Sequence, residues 1–344
     1  MVGLAHIFSH LKPFQVLLLG DFLLDTYTTG KVRRISPEAP VPIMEINRIE
    51  SRPGGAGNVA LNLRALSGVV TCLGRVGVDN AGKELKKLLS SHKLNTDFLL
   101  EEINHTTPVK NRLIAESQQL LRVDSETITP IPPSLEAECI QFLTKEIPRF
   151  QIVALSDYGK GFLTNKIIQV TLEIAKKSNI PVIIDPKGTD FTKYRGATII
   201  KPNLSEAYAA AKLPSSYSLT EVAKTICAQT DIELLLITRS EAGMSLFTKQ
   251  GEQRDFPVIS KEVKDVTGAG DTVLAILCLA LANQIDIASA VQLANIGAGI
   301  AIERLGCVQI SLAELAEREQ LTKLNPKTLE KLMSNLSYQA KTLV

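Results

Sequence analysis

The residues with the clearest chemical potential form one segment, Asp265-Val266-Thr267-Gly268-Ala269-Gly270-Asp271. The apolar residues 272–282 that follow it predict a buried helix. Because the first N–H groups of a helix lack partners and carry the positive end of its dipole, small residues there allow an anion to approach the backbone closely. Asp271 could then accept a proton beside that anion. Transfer of a phosphoryl group onto a hydroxyl needs this combination, although a helix cap after a tight turn would also explain the segment.

A second group of small and polar residues contains Gly54, Gly55 and Asn58, just before a predicted helix at residues 59–66. Their backbone and amide groups could hydrogen-bond to a polyol. Residues 55–60 also match the dinucleotide-binding fingerprint in its alanine-ended form, so a nicotinamide-dependent oxidoreductase is an alternative. The match is weak because a strand exposed on one side precedes it, where the fingerprint requires a buried strand. Packing of the helix against its loop would explain the glycines without any ligand.

Two further segments carry polar residues at the ends of predicted buried strands. Asn203 can cap a helix while Glu206 reaches back to it, and this capping box needs no ligand. At the carboxyl end of a strand the same pair could order water around Mg²⁺ beside nucleotide phosphates. Thr238 and Gly243 close another strand and could contact the same nucleotide, but a plain strand-to-hairpin turn is the alternative.

The elements that position these residues follow from hydrophobic patterning. Short aliphatic runs alternate with longer amphipathic stretches, which predicts an α/β fold with a mostly parallel sheet covered by helices. The runs are residues 16–20, 69–76, 152–156, 181–185, 197–201 and 234–238. Residues 41–49, 108–115 and 119–123 alternate apolar with polar positions, as strands exposed on one side do. They predict a small β lid, from about 26–50 and 105–125, with a hairpin turn at Glu116-Ser117 and with Arg112 and Arg122 projecting from it.

Composition narrows the class of protein. A chain of 344 residues with 45% hydrophobic content can bury a large core. Its net charge of +2, with both signs interspersed, does not indicate a nucleic-acid surface. The five cysteines have no CxxC spacing and mostly lie in apolar runs, so we expect reduced thiols and a cytoplasmic location. The N-terminal pattern is not that of a secretion signal or a membrane span. Small molecules are therefore the expected partners, with neither nucleic acid nor membrane.

Four segments, in order along nearly the whole chain, resemble the ribokinase-like, or PfkB, carbohydrate kinases: residues 20–25, 54–58, 203–206 and 265–271. Within that family, residues 35–42, 156–161 and 185–190 resemble the bacterial D-glycero-β-D-manno-heptose-7-phosphate kinases. The resemblance implies a ribokinase-like kinase domain over residues 1–344, with a helical tail from about 325. It also implies ATP- and Mg²⁺-dependent phosphorylation of heptose 7-phosphate at the anomeric hydroxyl, for ADP-heptose and lipopolysaccharide core biosynthesis. Many relatives add a nucleotidyltransferase domain, but this chain lacks a His-x-Gly-His segment, so the kinase activity alone is implied.

The same resemblance assigns roles to individual residues. Asp271 would be the general base, and the anion hole for the transferring group would be formed by Gly268, Ala269 and Gly270. The sugar hydroxyls would be bound by Asp25, Asp21, Gly54, Gly55 and Asn58. ATP would be bound by Asn203, Leu204, Ser205, Glu206, Thr238, Gly243 and Asn295, with Glu206 contacting Mg²⁺ through water. For Asn295, an ordinary polar residue inside a helix is the alternative.

A phosphosugar also needs cationic contacts far from the reacting hydroxyl. The candidates are Lys160, Lys187 and Arg122, for which a solvated surface position is the alternative. Two residues depart from the family pattern. Lys201 stands where many relatives carry Thr, a difference that could change a nucleotide-phosphate contact without affecting the catalytic base. Cys307 stands where a small hydroxyl residue is common, so dependence on a monovalent cation cannot be assumed.

Several alternatives to this function remain at this point. The nearest is another phosphosugar kinase of the same fold, and the next is a sugar-binding regulator that has lost catalysis. The intact Gly268 to Asp271 segment disfavours the regulator. Relatives pair through exposed β edges of the lid, and the one-sided alternation of residues 41–49 therefore predicts a homodimer.

Overall fold

A computed structural model describes residues 7–116, 118–258 and 263–323. Its strands are β1 (Phe14–Gly20), β2 (Phe22–Ile35), β3 (Pro42–Gly55), β4 (Gly68–Gly77), β5 (Asn95–Glu102), β6 (Val109–Ala115), β7 (Gln118–Ser125), β8 (Ile152–Ser156), β9 (Val182–Asp185), β10 (Ile199–Ile200), β11 (Leu234–Thr238), β12 (Met244–Thr248) and β13 (Gln253–Phe256). Its α-helices are α1 (Ala56–Ala65), α2 (Asn80–Ser91), α3 (Pro133–Glu146), α4 (Asn165–Lys177), α5 (Leu204–Ala211), α6 (Leu219–Thr230), α7 (Ala269–Ala282), α8 (Ile287–Ile302) and α9 (Leu312–Lys323). The tail predicted from about residue 325 lies outside the described residues.

The main sheet has nine strands in the order β13-β12-β11-β10-β9-β8-β1-β4-β5. Neighbouring strands from β11 to β5 are parallel, and β12 and β13 add an antiparallel edge. Alternate residues of β1 belong to two different apolar clusters. Val16 and Leu18 belong to the first cluster, and Leu17 and Leu19 belong to the second. Helices α7 and α8 contribute to the first cluster and α4 and α6 to the second. The predicted mostly parallel sheet with helices on both faces is therefore confirmed.

Three strands of the main sheet, β5, β12 and β13, were not predicted from the pattern, and two of them bury little of their length. The strand β5 leaves most of its residues partly or fully exposed, and β13 buries only Phe256. Both lie at the edges of the sheet. An edge strand needs little apolar surface, so its sequence lacks the aliphatic run that marks a buried strand.

The second, smaller sheet is the lid, and its strand order is β3-β2-β6-β7. The strands β2 and β3 are longer than the segments predicted for them and pair from Phe22 and Gly55 outward. At the end of the β6–β7 hairpin, Glu116 has a left-handed φ of 56°, as a tight turn requires. Ser117 of the predicted turn is not among the described residues.

The strand register gives the two faces of the lid different chemistry. Because successive side chains point to opposite faces, the register aligns one set of side chains that is mostly charged: Asp25, Tyr27, Lys110, Arg112 and Arg122. The opposite face carries exposed aliphatic side chains at Ile46, Ile49, Leu121 and Val123. The lid is thus a sheet with one mostly charged face and one face with exposed aliphatic side chains. Its strands β2 and β3 lie between β1 and α1 in the chain.

Candidate active site

A cleft of about 490 Å³ opens at the carboxyl ends of strands β8 to β11. Gly268, Ala269, Gly270 and Asp271 form one wall of it. The helix α7 begins at Ala269, and Gly268 before it has a φ of 79° and supplies no side-chain cap. A Cβ at Gly268 would lie 3.0 Å from Asn58 Nδ2 and 3.2 Å from Cys307 Sγ, so glycine suits both the conformation and the space. The first N–H groups of α7 therefore lie at the cleft without a capping side chain, as an anion site requires.

Asp271 is held at this wall by two neutral donors. The Asn58 amide donates a hydrogen bond to Asp271 Oδ2 at 2.6 Å, and the Tyr158 hydroxyl donates to Asp271 Oδ1 at 3.0 Å. The residue is only 6% exposed although it lines the cleft. The pKa of Asp271 is raised to about 6. Burial is the main cause, the hydrogen bond from Asn58 opposes it, and the nearby Asp185 charge adds to it. A carboxylate with this pKa is suited to accept a proton near neutral pH.

Asn58 and Tyr158 thus act on the same carboxylate from distant parts of the chain. Asn58 was predicted to bind a sugar hydroxyl, and its Oδ1 atom is buried without a hydrogen-bond partner among the described residues. That oxygen remains available to a ligand, so sugar binding by Asn58 stays a prediction. Tyr158 was not predicted as a site residue, although it lies in residues 156–161, which resemble a segment of the heptose-7-phosphate kinases.

Asp21 lies beneath the loop that carries Tyr158. Its Oδ2 atom accepts hydrogen bonds from the backbone N–H groups of Tyr158 at 2.9 Å and of Lys160 at 3.0 Å. Its Oδ1 atom accepts a longer bond of 3.4 Å from the N–H of Phe162. Burial raises the pKa of Asp21, and these backbone donors oppose that effect. In this arrangement Asp21 shapes the loop, and its predicted contact with a sugar stays a prediction.

Asp25 lies on the charged face of the lid, where Arg112 Nη1 approaches its Oδ1 to 2.5 Å. A Cβ at Gly54 would lie 2.0 Å from Asp25 Oδ2, so glycine at this position makes room for the carboxylate. Gly55 has a φ of 56° at the junction of β3 and α1. The guanidinium of Arg112 also lies over the Tyr27 ring, 5.4 Å from its centroid. Asp25 is therefore close to Gly54, and sugar binding by Asp25, Gly54 and Gly55 stays a prediction.

Five of the residues predicted to bind nucleotide line the same cleft as Asp271: Asn203, Glu206, Thr238, Gly243 and Asn295. Leu204 and Ser205 are exposed at the start of α5 and are not among the lining residues. The capping box is present, with Asn203 Oδ1 accepting from the Glu206 N–H at 2.9 Å and Glu206 Oε2 accepting from the Asn203 N–H at 3.1 Å. Capping thus accounts for the spacing, and nucleotide binding by these residues stays a prediction.

The basic residues divide between the two sides of the site. Lys187 lines the cleft and pairs with Glu206 at 2.9 Å, on the side of the predicted nucleotide residues. Lys160 pairs with Glu126 at 2.6 Å and Arg122 pairs with Asp124 at 2.9 Å, and neither lines the cleft.

Lys110, which was not predicted, lies over the ring of Tyr158, 5.5 Å from the ring centroid. Burial lowers the pKa of Lys110, and the positive charges of Lys160 and Arg122 lower it further, while Asp25 opposes this. In the described parts of the chain Lys110 has no ion-pair partner. The lid side of the site therefore holds a half-buried cation that is not neutralised by a direct contact.

Two further residues of the cleft that were not predicted to bind a ligand, Lys201 and Asp185, form an ion pair. Lys201 directly follows β10, and Asp185 is the last residue of β9. The distance from Lys201 Nζ to Asp185 Oδ1 is 3.0 Å. Lys201 is only 3% exposed. Burial raises the pKa of Asp185, and the ammonium of Lys201 opposes that effect.

A family model described as pfkB family carbohydrate kinase matches residues 15–314. The chain belongs to the pfkB family. It is 43% identical over 311 residues to the bifunctional protein HldE of Geobacter metallireducens, covering 90% of this chain and 64% of that protein. It is 40% identical over 343 residues to the bifunctional protein HldE of Aliarcobacter butzleri, covering 97% of this chain and 71% of that protein. This pfkB chain thus spans less than two thirds of the length of the first of these relatives.

The fold of this pfkB kinase is that of solved ribokinases. A structure of Arabidopsis thaliana ribokinase complexed with ribose and ATP superposes with a TM-score of 0.70 at 17% identity, over 91% of this chain and all of that one. The protein is therefore a carbohydrate kinase with a ribokinase-like fold, an enzyme class that transfers a phosphoryl group from a nucleotide to a sugar. Within the described residues, no helix is long and apolar enough to cross a membrane.

Proposed function

We propose that this kinase phosphorylates D-glycero-β-D-manno-heptose 7-phosphate at its anomeric hydroxyl, using ATP and Mg²⁺, and makes heptose 1,7-bisphosphate for ADP-heptose and lipopolysaccharide core biosynthesis. The observation that carries the reaction type is the Asp271 carboxylate, held by Asn58 and Tyr158 beside the uncapped start of α7. The choice of heptose rests on the resemblance of residues 35–42, 156–161 and 185–190 to heptose-7-phosphate kinases. The identity of about two residues in five to HldE proteins supports it.

In this mechanism each group of residues has one task. Asp271 accepts the proton of the sugar hydroxyl while that oxygen attacks the terminal phosphorus of ATP. The N–H groups of Gly268, Ala269 and Gly270 hydrogen-bond to the oxygens of the transferring group, where negative charge accumulates, and Ala269 gives up its long 3.3 Å bond to the Val266 carbonyl to do so. The raised pKa of Asp271 supports this role, because a base is most effective when its pKa is near the working pH.

The carboxylates at the nucleotide side fit a hydrated Mg²⁺ ion. Glu206 and Asp185 line the cleft, and the Glu206 charge contributes to raising the pKa of Asp185, so the two acids act on each other. Mg²⁺ keeps several waters and binds few carboxylates together with phosphate oxygens. When bound, it would neutralise charge on the nucleotide phosphates, and Glu206 would contact it through water while Asn203, Thr238, Gly243 and Asn295 surround the nucleotide.

The phosphate already on the sugar would bind at the lid. Tyr158 links the two ends of the substrate site, since its hydroxyl contacts Asp271 and its ring lies under Lys110. The half-buried ammonium of Lys110 is close enough to Lys160 and Arg122 for their charges to lower its pKa. We therefore assign the sugar phosphate to Lys110, with Lys160 and Arg122 nearby, and leave Lys187 to the nucleotide side.

A substrate panel tests the proposal. ADP formation should be measured with heptose 7-phosphate, fructose 6-phosphate and ribose 5-phosphate, and with the same sugars lacking phosphate. We expect kcat/KM to be at least about 10-fold higher for heptose 7-phosphate than for the other phosphosugars. A higher kcat/KM for a different phosphosugar would overturn the choice of heptose but would still support kinase activity. A change in reduced nicotinamide absorbance without ATP would support the oxidoreductase alternative, and sugar binding without turnover would support the regulator.

A variant of Lys110 tests the phosphate end separately. Lys110→Gln should raise KM roughly 10-fold for a phosphosugar, because a charge-assisted contact is lost. It should leave the kinetics of the matching unphosphorylated sugar unchanged. Lys31→Gln, on an exposed position of the same sheet, is the matched control. Equal losses with both kinds of sugar would remove Lys110 from the phosphate site.

We also propose that two copies pair through the aliphatic face of the lid. Ile49 is 61% exposed, and Ile46, Leu121 and Val123 lie on the same face. An exposed apolar surface of this kind is typical of a protein interface. Ile49→Glu should shift the protein from dimer to monomer in light scattering. The control is Val69→Glu, at a 57% exposed position on the main sheet. A monomeric parent protein would contradict the proposal.

A further inference from the structure

The buried pair of Lys201 and Asp185 lies directly against the start of α7. A Cβ built on Gly270 would lie 3.4 Å from Lys201 Nζ and 3.8 Å from Asp185 Oδ2. The ammonium is thus beside the same N–H groups that form the candidate anion hole. Both residues also line the cleft from which a nucleotide phosphate would approach.

Stability gives little reason for an ion pair at this position. Removing two charges from water costs several kcal/mol per ion by general estimates, and apolar replacements are often as stable or more stable. The carboxylates that line the cleft are Asp157, Asp185, Glu206, Glu241 and Asp271, against the two ammonium groups of Lys187 and Lys201. Because Lys187 is about half exposed and paired with Glu206, Lys201 is the buried cation that an incoming phosphate would meet.

We propose that Lys201 is a catalytic residue that binds the transferring phosphoryl group directly, exchanging its contact with Asp185 for phosphate oxygens. As the sugar oxygen forms its bond to phosphorus, the bond to the ADP oxygen breaks and the hydroxyl proton passes to Asp271. Lys201 keeps its proton throughout and offsets the charge on the oxygens of the group in transfer. This role depends on the carbohydrate kinase activity of the family and not on the identity of the sugar.

The residue type matters for this role. A hydroxyl side chain at this position could donate a hydrogen bond but would bring no charge. Lysine is a compact point charge on a flexible stem, which suits a change of partner over a short distance. The ammonium therefore supplies a charge that a hydroxyl side chain would not.

The test is a comparison of nucleotide affinities without sugar, so that no transfer occurs. Titration calorimetry should give the dissociation constants of a nonhydrolysable ATP analogue and of ADP. Lys201→Met should reduce the preference for the ATP analogue over ADP by roughly 10-fold or more, because only the terminal phosphate loses a charged contact. In sugar-dependent turnover the same variant should lower kcat roughly 10²- to 10³-fold, as removal of one oxyanion donor does.

Asp185→Asn is the matched control when all proteins are titrated without Mg²⁺, because it breaks the same buried pair, keeps the ammonium, and leaves no metal contact to lose. It should then retain the preference for the ATP analogue over ADP. The exposed Lys177→Met controls for loss of one positive charge. If Lys201→Met fails to fold, Lys201→Thr takes its place in the same titration, since threonine removes the charge and keeps a hydrogen-bond donor. Equal weakening of both nucleotides in the lysine variants, or an unchanged preference, would show that Lys201 only balances the charge of Asp185 and would overturn the proposal. Neither result would bear on which sugar is the substrate.

Discussion

The start of α7 and the charged face of the lid hold their ionisable groups in different ways. Asp271 is buried and receives hydrogen bonds from two neutral side chains, so its charge has no directly bonded cation. In the lid, Asp25 pairs with Arg112, Arg122 pairs with Asp124, and cations lie over aromatic rings. The Asp271 carboxylate thus stays without a bonded cation for proton transfer, whereas the carboxylates of Asp25 and Asp124 in the lid are held in ion pairs that a charged ligand can exchange.

This difference predicts which kinetic constant each region controls. A group that acts on the reacting atoms lowers the barrier, so its loss should appear in kcat. A group that contacts the substrate equally before and during the reaction should appear in KM. We therefore expect changes at α7 to act on kcat and changes in the lid to act on the KM of the sugar.

The largest expected effect is that of Asp271→Asn. Loss of the general base should lower kcat by roughly 10²- to 10⁴-fold, with the KM values for ATP and sugar changed little. The fold should remain, because the new amide can accept from Asn58 and donate to the Tyr158 hydroxyl. Steady-state ADP formation and circular dichroism measure both results. Turnover near that of the parent in a folded variant would exclude Asp271 as the base.

The pH dependence of the parent protein sharpens the same point. The carboxylate is the active form of Asp271 and its pKa is about 6, so kcat/KM should fall as the pH drops below 6 and level off above it. The contribution of Asp271 to folding stability depends on pH in the opposite direction. The folded pKa exceeds the ordinary value of 3.8, so the stabilising contribution of the protonated carboxyl is complete below that value and is lost as the pH rises through 6.

Asp271→Asn should therefore raise the free energy of unfolding at pH 8 by roughly 3 kcal/mol, since each pKa unit corresponds to about 1.4 kcal/mol. At pH 4 the gain should be small. Urea unfolding of both proteins at the two pH values measures the difference. A gain that is equal at pH 4 and pH 8 would mean that ionisation of Asp271 is not its cause. A site residue that costs stability at the working pH is a common feature of active sites.

In the lid, Arg112→Gln should raise the KM of the sugar roughly 10-fold, because a contact to a charged group typically contributes about 1.5 kcal/mol or more. The reason is that Arg112 fixes the Asp25 carboxylate, the proposed ligand of sugar hydroxyls. The value of kcat and the KM of ATP should stay within about 3-fold of the parent, as expected for loss of uniform binding. Arg33→Gln, on an exposed position of the neighbouring strand β2, is the control. An equal rise in the KM of ATP would contradict a local role in sugar binding.

The two regions also differ in how far sequence alone could predict them. The helix start is contiguous in the chain, so the spacing of Gly268, Gly270 and Asp271 relative to the apolar residues 272–282 was enough to predict an anion hole with a base. The aliphatic runs likewise predicted the buried parallel strands. The hydrogen bonds to Asp271 could not be predicted, because Asn58 and Tyr158 are 213 and 113 residues away in the chain.

The lid was predictable as an element and not as a binding surface. Alternation indicated strands exposed on one side, but the pairing of Asp25 with Arg112 depends on the register between β2 and β6, which spacing does not reveal. Lys110 was missed as a site residue, and Lys201 was noted only as a departure from the family pattern, for a related reason. An isolated lysine is usually a solvated surface residue, and only its tertiary neighbours show that it is half-buried or buried.

The smallest expected effect comes from the other ion pair of the lid. Arg122 and Asp124 are two residues apart on β7, and the Arg122 side chain is about half exposed. An exposed pair of this kind contributes about 0.2 to 1 kcal/mol and is screened by salt. Arg122→Gln should therefore lower the free energy of unfolding by less than about 1 kcal/mol, and by less still in 0.5 M salt. Urea unfolding of this variant beside Arg112→Gln gives the comparison within one sheet. A loss above 2 kcal/mol for Arg122→Gln would mean that the pair fastens the lid, and such a pair could not exchange its partner for a substrate phosphate at low cost.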